Sequence, residues 1–472
     1  MSFRRSVPIL TLLASTMLSA CTVGPDYHKP EVTLTPAYQT PATLAQADAR
    51  WWTSFHDPML DHLVEQALVQ NLDIAAAAAR IDQARGVARA AGAALLPSVG
   101  LAGSAEQDHT SLQTPIGAAA RQLGLPRDYA LYQLGAQASW EIDLFGGLRR
   151  GREAARADLA STLATADAVR LSIAAETADA YLQLRGLQAR LAVAQDQLAT
   201  EQHLVSLVRQ QADEGVVADQ ALNRTLGEQQ GIEASLPPLR AAIAGQANRL
   251  AVLCGQQAGA LTVALMAPSV IPLAPDPSGS AQPAELMRRR PDLVAAERQV
   301  AASNARIGAA IAEYYPHVSL GGLLGVATVG GSSLLTGDAL QASGAAGLRW
   351  RLFDFGKVDA QVAQARGREA EALATYRGAV LGATQDVENA LSRLVEGRAE
   401  IALRQQQVTS LSRARDQARA AYAAGVISLI DVLDADRALL DASDRLAAAR
   451  ADTARASVAA IRALGGGWQA RT

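Results

Sequence analysis

Few residues in this chain have the types and spacing that catalysis or metal binding needs. His56-Asp57 and Asp61-His62 lie close together but lack a third metal ligand, so they predict the start of a surface helix rather than a metal site. The remaining histidines are scattered: His28, His109, His203 and His317. The sequence has no phosphate-binding loop, no dinucleotide-binding glycine motif and no nucleophile elbow. It therefore predicts no enzyme activity, no metal and no cofactor.

One pair of carboxylates shares a helix face. Asp431 and Asp434 are three residues apart in the predicted helix that follows Gly425, so their charges act together. A simpler interpretation is also open, because Ser428 and Asp431 form a capping-box pattern at a helix start. Further along, Asp441 and Asp444 continue the acidic face, which solvent alone can accommodate.

The first fifty residues predict export and a lipid anchor. Residues 1–20 have the arginines and the short apolar stretch of a signal peptide, too short to span a membrane. The segment Leu18-Ser19-Ala20-Cys21 resembles a bacterial lipobox, which implies lipidation of Cys21, and Thr22 then favours the outer membrane. Residues 21–50 are rich in proline, threonine and alanine and predict an extended tether. Cys254 is the other cysteine, so a chain acylated at Cys21 cannot form an internal disulfide.

Alanine dominates the composition. Of 472 residues, 49% are hydrophobic but only 4% are aromatic, and about 100 are alanine. Alanine is the best helix former and buries little area, so the composition predicts long helices with thin interfaces. A net charge of −3 without a basic run excludes nucleic acid as a partner.

The chain contains an internal duplication. The segment ALLPSVGLAG around Pro97 matches EYYPHVSLGG around Pro316 at an offset of 219 residues. Phe145-Gly146 matches Phe355-Gly356 at an offset of 210, and the two tip turns keep the same offset at Gly215 and Gly425. Each copy predicts a helix, a strand, a loop, a strand, a very long helix, a turn and a return helix.

Four predicted strands alternate between an apolar and a polar face. The first strands of the two repeats start at Ser98 and His317, and the second strands carry the charged residues Glu141, Asp143, Arg349 and Arg351 on their polar face. Such strands suit a transmembrane barrel, although a half-buried soluble sheet has the same pattern. Four strands cannot close a membrane barrel, so a barrel requires two or three copies, and a polar lumen favours three.

The long helices are predicted by the lack of proline. No proline occurs from Gly147 to Glu214, and a helix of that length extends roughly 100 Å. A heptad seam runs through it at Leu184, Leu191, Leu198 and Val205, with Leu187, Ala194 and Val208 at the companion positions. In the return helix, Pro237-Pro238 predicts a kink or a break.

Three long motifs resemble the TolC-like outer-membrane efflux factors, in particular the NodT-type lipoproteins. They are CTVGPDY at 21–27, WWTSFHDPMLDHLVEQALVQNLDI at 51–74 and AELMRRRPDLVAAERQVAASNARIGAAIAEYYPHVSL at 284–320. The resemblance implies a mainly α fold with a transmembrane β part. A homotrimer would form a twelve-stranded barrel, four strands per chain, continued by a long α-helical barrel. It further implies a passive exit duct in the cell outer membrane that extends into the periplasm. There the duct would dock on a periplasmic membrane-fusion adaptor and an inner-membrane pump.

The resemblance also assigns domains and pore residues. It implies a first repeat over 51–255, a linker over 256–283, a second repeat over 284–464 and a tail over 465–472. The arginines at 288–290 then are structural contacts at the repeat junction, and the loops 107–132 and 327–343 face the outside. The charged strand residues would line the pore: Glu141, Asp143, Arg349 and Arg351.

By the same resemblance, the turn at Gly425 is the periplasmic tip. Asp431 and Asp434 match the family aspartates that ring the closed pore, where three copies would form cation-selective rings. Tyr422 matches a tyrosine that holds the tip closed. Ile427 stands where the family has an arginine, so that arginine's salt bridge is not expected here.

Two other functions fit part of the sequence. A duct could serve type I protein secretion instead of small-molecule efflux, because the cargo is selected upstream of the duct. A lipid-anchored coiled-coil scaffold without a pore is a different class, but a scaffold has no need of strands with one apolar and one charged face.

Overall fold

The computed structural model describes residues 22–40, 49–267, 269–272, 289–466 and 468. A 3-10 helix at Trp51–Phe55 precedes the regular elements. These elements are, in chain order, α1 (Pro58–Gln70), α2 (Leu72–Ala93), β1 (Ser98–His109), α3 (Pro115–Leu123), β2 (Asp128–Ile142), α4 (Gly147–Asp213), α5 (Asp219–Leu253), α6 (Thr262–Leu265), α7 (Pro291–Ala312), β3 (His317–Val329), β4 (Leu340–Arg349), α8 (Lys357–Ala423) and α9 (Leu429–Ala463). Two compact units contain them. The first comprises Asp82–Ser161, Glu297–Thr375 and the described residues before Glu31, and the second comprises the rest.

The first unit contains an antiparallel sheet of four strands in the order β1-β2-β3-β4. The strands of the two repeats pair in the same register. Ser98 pairs with Ser139 in the first repeat, and their counterparts at offsets of 219 and 210, His317 and Arg349, pair in the second. The predicted strand starts at Ser98 and His317 are confirmed. The loops between strands are shorter than expected, because β1 continues to His109 and β2 already begins at Asp128.

The four longest helices form two hairpins of equal dimensions. α4 and α8 have 67 residues each, and α5 and α9 have 35 each. The predicted start of α4 at Gly147 is confirmed. The predicted break at Pro237-Pro238 is wrong, since α5 continues through both prolines. The residues whose carbonyls lose their helical donors, Glu233 and Ala234, are exposed, so water can satisfy these carbonyls. No described helix combines the length and apolarity that crossing a bilayer requires.

The core of the second unit combines leucine, isoleucine and valine side chains with alanines and a few aromatic residues. Trp51, Trp52 and Phe55 lie edge to face and are buried with Tyr181. Between α4 and α9, small side chains allow a close approach: a Cβ added to Gly186 would lie 2.4 Å from the Cβ of Ala451. The helix backbones therefore approach closely, as the alanine-rich composition predicts.

Candidate functional site

A clamp in the first unit holds the N-terminal segment that follows Cys21. Arg150 near the start of α4 is only 4% exposed. Its guanidinium donates to the carbonyls of Val23 and Gly24 at 3.2 and 3.4 Å and to the Asp26 carboxylate at 2.8 Å. The Val23 N–H donates to the Phe145 carbonyl at 3.0 Å. The segment is thus irregular, as a tether should be, but residues 22–27 are not free.

Glycine makes this clamp possible. Gly24 has a φ of +94°, and a Cβ there would lie 2.3 Å from the Cα of Gly308. The hydroxyl of Tyr27 donates to Glu297, which fixes the far end of the segment. Cys21, predicted to carry lipid, lies outside the described residues.

Two of the four charged residues predicted for the polar strand face, Glu141 and Arg351, belong to one network at the end of the sheet. Glu141 accepts from His317 Nδ1 at 2.7 Å, and His317 Nε2 lies 3.8 Å from Glu313. Glu313 in turn pairs with Arg351 at 3.0 Å. Arg349 is exposed at the end of β4 and pairs in register with His317. Glu141 and Arg351, predicted from different repeats, therefore join one network.

The placement of Asp143 and Arg351 on strands is wrong. β2 ends at Ile142 and β4 at Arg349. The carboxylate of Asp143 accepts from the N–H groups of Leu148 and Arg149 at 3.2 and 2.8 Å. It thereby satisfies free donors at the start of α4, a favourable position for a negative charge. Asp143 thus lies one residue beyond the end of β2, and Arg351 lies two residues beyond the end of β4.

The two hairpin tips have the same backbone. Gly215 and Gly425 adopt φ values of +73° and +72°, which glycine accepts without strain. In both tips the following valine N–H returns to a helix carbonyl: Val216 to Gln211 at 2.8 Å and Val426 to Ala421 at 2.9 Å. These bonds are typical of a helix that ends at a left-handed glycine.

The two aspartates of the acidic pair, Asp431 and Asp434, have different surroundings. Asp431 forms the capping box, since its carboxylate accepts from the N–H of Ser428 at 3.0 Å and from its hydroxyl at 2.7 Å. The hydrogen bond from the Ser428 hydroxyl holds the pKa of Asp431 below its usual range. Asp434 is exposed, and its carboxylate lies 3.9 Å from the guanidinium of Arg224 in the first hairpin. Each of the two aspartates therefore already has an intramolecular role.

Polar contacts connect the two hairpins near their tips. The hydroxyl of Tyr422 donates to Gln211 Oε1 at 3.0 Å. Arg437 bonds Glu228, and together with the Arg224–Asp434 pair this connects α9 to α5. Within the second hairpin, Arg419 donates to both carboxylate oxygens of the buried Asp436, at 2.8 and 3.0 Å.

A buried glutamate lies among these charges. Glu201 of α4 is 1% exposed, and its Oε1 has no hydrogen-bond partner in the described part of the chain. Burial, followed by repulsion from Asp436 and Glu228, raises the pKa of Glu201 to about 7, although Arg419 opposes the shift. The sequence offered one signal. Glu201 interrupts the companion heptad positions of α4, between Ala194 and Val208.

We expect Glu201 to weaken the structure as the pH rises. Its pKa is raised on folding, so its protonated form contributes stability at low pH that is lost as the pH rises through about 7. Each pH unit between the unfolded and folded pKa values changes the free energy of unfolding by about 1.4 kcal/mol. Glu201→Gln should therefore increase the free energy of unfolding at pH 8 and change it little at pH 4. Urea unfolding over this range, with exposed Glu233→Gln as control, measures the difference. Parallel pH profiles for wild type and Glu201→Gln would contradict it.

The repeat junction is a structural contact, as predicted. Arg290 donates to Asp292 at 2.7 Å, to Asp386 at 3.3 Å and to the carbonyls of Ala383 and Ala463 at 3.5 and 3.4 Å. Arg290 lines a cavity of about 400 Å³, which Arg393 and Arg462 also line. The Arg290 guanidinium already donates to the carboxylates of Asp292 and Asp386, so it is poorly suited to bind a phosphate. Arg288 lies outside the described residues. Among the described residues, no group of three or more potential ligands could hold a metal.

Comparison with known proteins decides the family. The family described as Outer membrane efflux protein matches residues 63–256 and 283–466. The chain belongs to this family. Nodulation protein T of Rhizobium leguminosarum bv. trifolii is 31% identical over 98% of this chain and 97% of its own length. The pyoverdine export outer membrane protein OpmQ of Pseudomonas putida is 34% identical over 92% of each chain.

Solved structures agree with this family. The outer-membrane channel OprN has a TM-score of 0.87 and 34% identity, over 95% of this chain and 100% of OprN. This outer membrane efflux protein therefore has a TolC-like channel fold, in which long helical hairpins accompany a four-stranded sheet. It is an outer-membrane channel that acts as the exit component of an efflux system. The predicted fold class, function and location are confirmed.

Proposed function

We propose that three copies of this chain form a passive exit duct for small molecules, which a periplasmic adaptor and an inner-membrane pump supply. The duct does no catalysis. Cys21 carries the lipid anchor, and the repeats 51–255 and 284–464 contribute equivalent walls. Relatives named for pyoverdine export and for toluene efflux support a small-molecule cargo.

We further propose that the hairpin tips are the gate. The contacts between hairpins carry this proposal: Tyr422 with Gln211, Asp434 with Arg224, and Arg437 with Glu228. Opening an entrance requires one hairpin to move against the other, and these contacts resist that movement. In this arrangement the Arg224–Asp434 pair, here called the latch, connects the two hairpins. Asp431 holds the start of α9 in place and adds its charge to the ring that three copies form.

Removal of the latch should open the channel. The side chains of Arg224 and Asp434 are 43% and 63% exposed, so their pairing contributes about 0.2–1 kcal/mol. Asp434→Ala should therefore increase the open population roughly 1.4- to five-fold in planar bilayers. Asp431→Ala with Asp434→Ala should give a larger conductance and a weaker cation preference, because both charges of the ring are lost.

The matched control is Asp441→Ala. Asp441 lies on the same helix but pairs with Arg445 of that helix at 3.0 Å, so its loss leaves the contacts between hairpins intact. It should conduct as the wild type does. If the double variant has the conductance and cation preference of the wild type, the gate assignment is wrong.

A further inference from the structure

Four charged side chains, one from each of the four long helices, form a cluster near the hairpin tips. Glu201 belongs to α4, Glu228 to α5, Arg419 to α8 and Asp436 to α9. Glu201 and Asp436 are 1% and 2% exposed, so both carboxyl groups are removed from water. Arg419 donates to both oxygens of Asp436, whereas Oε1 of Glu201 accepts no hydrogen bond in the described part of the chain. The charged cluster thus contains a buried carboxyl oxygen without a donor.

The duplication indicates that the fold itself does not need these two buried carboxyl groups. The offset of 210 residues maps Glu201 onto Leu411 and Asp436 onto Leu226. The helices that carry these pairs have equal lengths, so leucine occupies the same helix positions in the other hairpin. A buried carboxyl that lacks a hydrogen-bond partner costs free energy, and a leucine does not. What leucine cannot supply is a group that binds and releases a proton.

The charged cluster shares residues with the contacts that connect the two hairpins. Glu228 also pairs with Arg437 of α9, which follows Asp436 directly in the sequence. Glu201 lies roughly 20 Å along α4 from the tip turn at Gly215. A change of charge at Glu201 therefore acts on the same interface between hairpins that must separate when the entrance opens.

We propose that Glu201 is a proton-operated switch of the entrance: its neutral form keeps the hairpins packed, and its charged form favours their separation. This rests on the gate proposed above and adds its regulation. Loss of the proton to water places a negative charge near the carboxylates of Asp436 and Glu228, at a position that water does not reach. Arg419 opposes this repulsion, but its guanidinium is already bound to Asp436. Separation of the hairpins relieves the repulsion, because the Glu201 carboxylate regains water.

The direction of the pH dependence follows from the position of Glu201. Its pKa is raised to about 7 in the packed hairpins, so the closed state binds this proton more tightly than a state in which the carboxyl meets water. The closed state therefore loses stability relative to the open state as the pH rises through about 7. If opening returns the carboxyl fully to water, the open-to-closed ratio should rise by up to about ten-fold between pH 6 and pH 8.

Single-channel recordings of the full chain in planar bilayers test the switch. The open population of the wild type should rise from pH 6 to pH 8. Glu201→Gln and Glu201→Leu should both stay at the low-pH level over this range, because neither side chain can lose a proton. Glu233→Gln removes an exposed carboxyl from α5 and should keep the wild-type rise. Glu228→Gln should keep a rise but move its midpoint to lower pH, because one repelling charge is lost.

The outcomes separate the switch from the gate. A flat profile in both Glu201 variants beside a pH-dependent wild type supports the switch. If the wild type is itself flat, or Glu201→Gln follows the wild-type profile, while Asp431→Ala with Asp434→Ala still opens the channel, the switch is overturned and the gate assignment stands. If that double variant conducts as the wild type does at every pH, the gate assignment is wrong and the switch is overturned with it.

Discussion

Arg150→Ala is expected to release the N-terminal segment from the first unit. The guanidinium holds two backbone carbonyls and two carboxylates from a position that is almost fully buried. Hydrogen bonds to a charged group contribute about 1.5–3 kcal/mol, so the attached state should lose at least about 2 kcal/mol, or roughly thirty-fold in population. Chymotrypsin cleavage after Tyr27, followed by mass spectrometry, should accelerate accordingly.

Two substitutions make this test specific. Arg156→Ala removes an exposed arginine from the same helix and should leave the cleavage rate unchanged. Arg150→Lys keeps the charge but loses the planar fork, so it should give an intermediate rate. Equal cleavage of Arg150→Ala and Arg156→Ala would mean that the clamp does not hold the segment.

Gly186→Leu is expected to force α4 and α9 apart. A Cβ added at this position would lie 2.4 Å from the Cβ of Ala451, and alanine has no flexible side chain that could move away. Overpacking of this kind typically costs about 1–3 kcal/mol, and a leucine in a contact between two backbones should reach the upper end. Thermal unfolding in detergent, followed by circular dichroism, should show a lower midpoint.

Gly245→Leu is the matched control. Gly245 is also inside a long helix, but a Cβ there has no neighbour within 4 Å. Leucine is a better helix former than glycine by up to about 1 kcal/mol, so this variant should equal or exceed the wild type in stability. A loss of stability as large at Gly245 as at Gly186 would refute the account of thin, closely packed walls.

Local sequence patterns predicted the regular elements well. The start of α4 at Gly147, the strand starts at Ser98 and His317 and the turns at Gly215 and Gly425 all follow from proline, glycine and alternation signals. The equal lengths of the two hairpins are consistent with the constant offset of 210 residues between the repeats. Pro237-Pro238 misled because α5 continues through both prolines, with the residues whose carbonyls lose their donors exposed to water.

Contacts between segments that are distant in sequence could not be predicted from local patterns. Nothing local indicates that Arg150 reaches Val23, or that Arg224 stands opposite Asp434. Asp143 looked like a strand residue because alternation continues past the point where its carboxylate caps α4. Glu201 left a signal, a charge at an apolar heptad position, but its neighbour Asp436 belongs to another helix.

The exit-duct function is tested most directly by the accumulation of a fluorescent efflux substrate in a deletion strain whose adaptor and pump are intact. We expect high accumulation in the deletion strain, restored to low levels by the wild-type chain. Asp441→Ala should restore it equally, since it leaves the tips unchanged. If the wild-type chain reaches the outer membrane as a trimer and accumulation still stays high, the chain is not the exit duct.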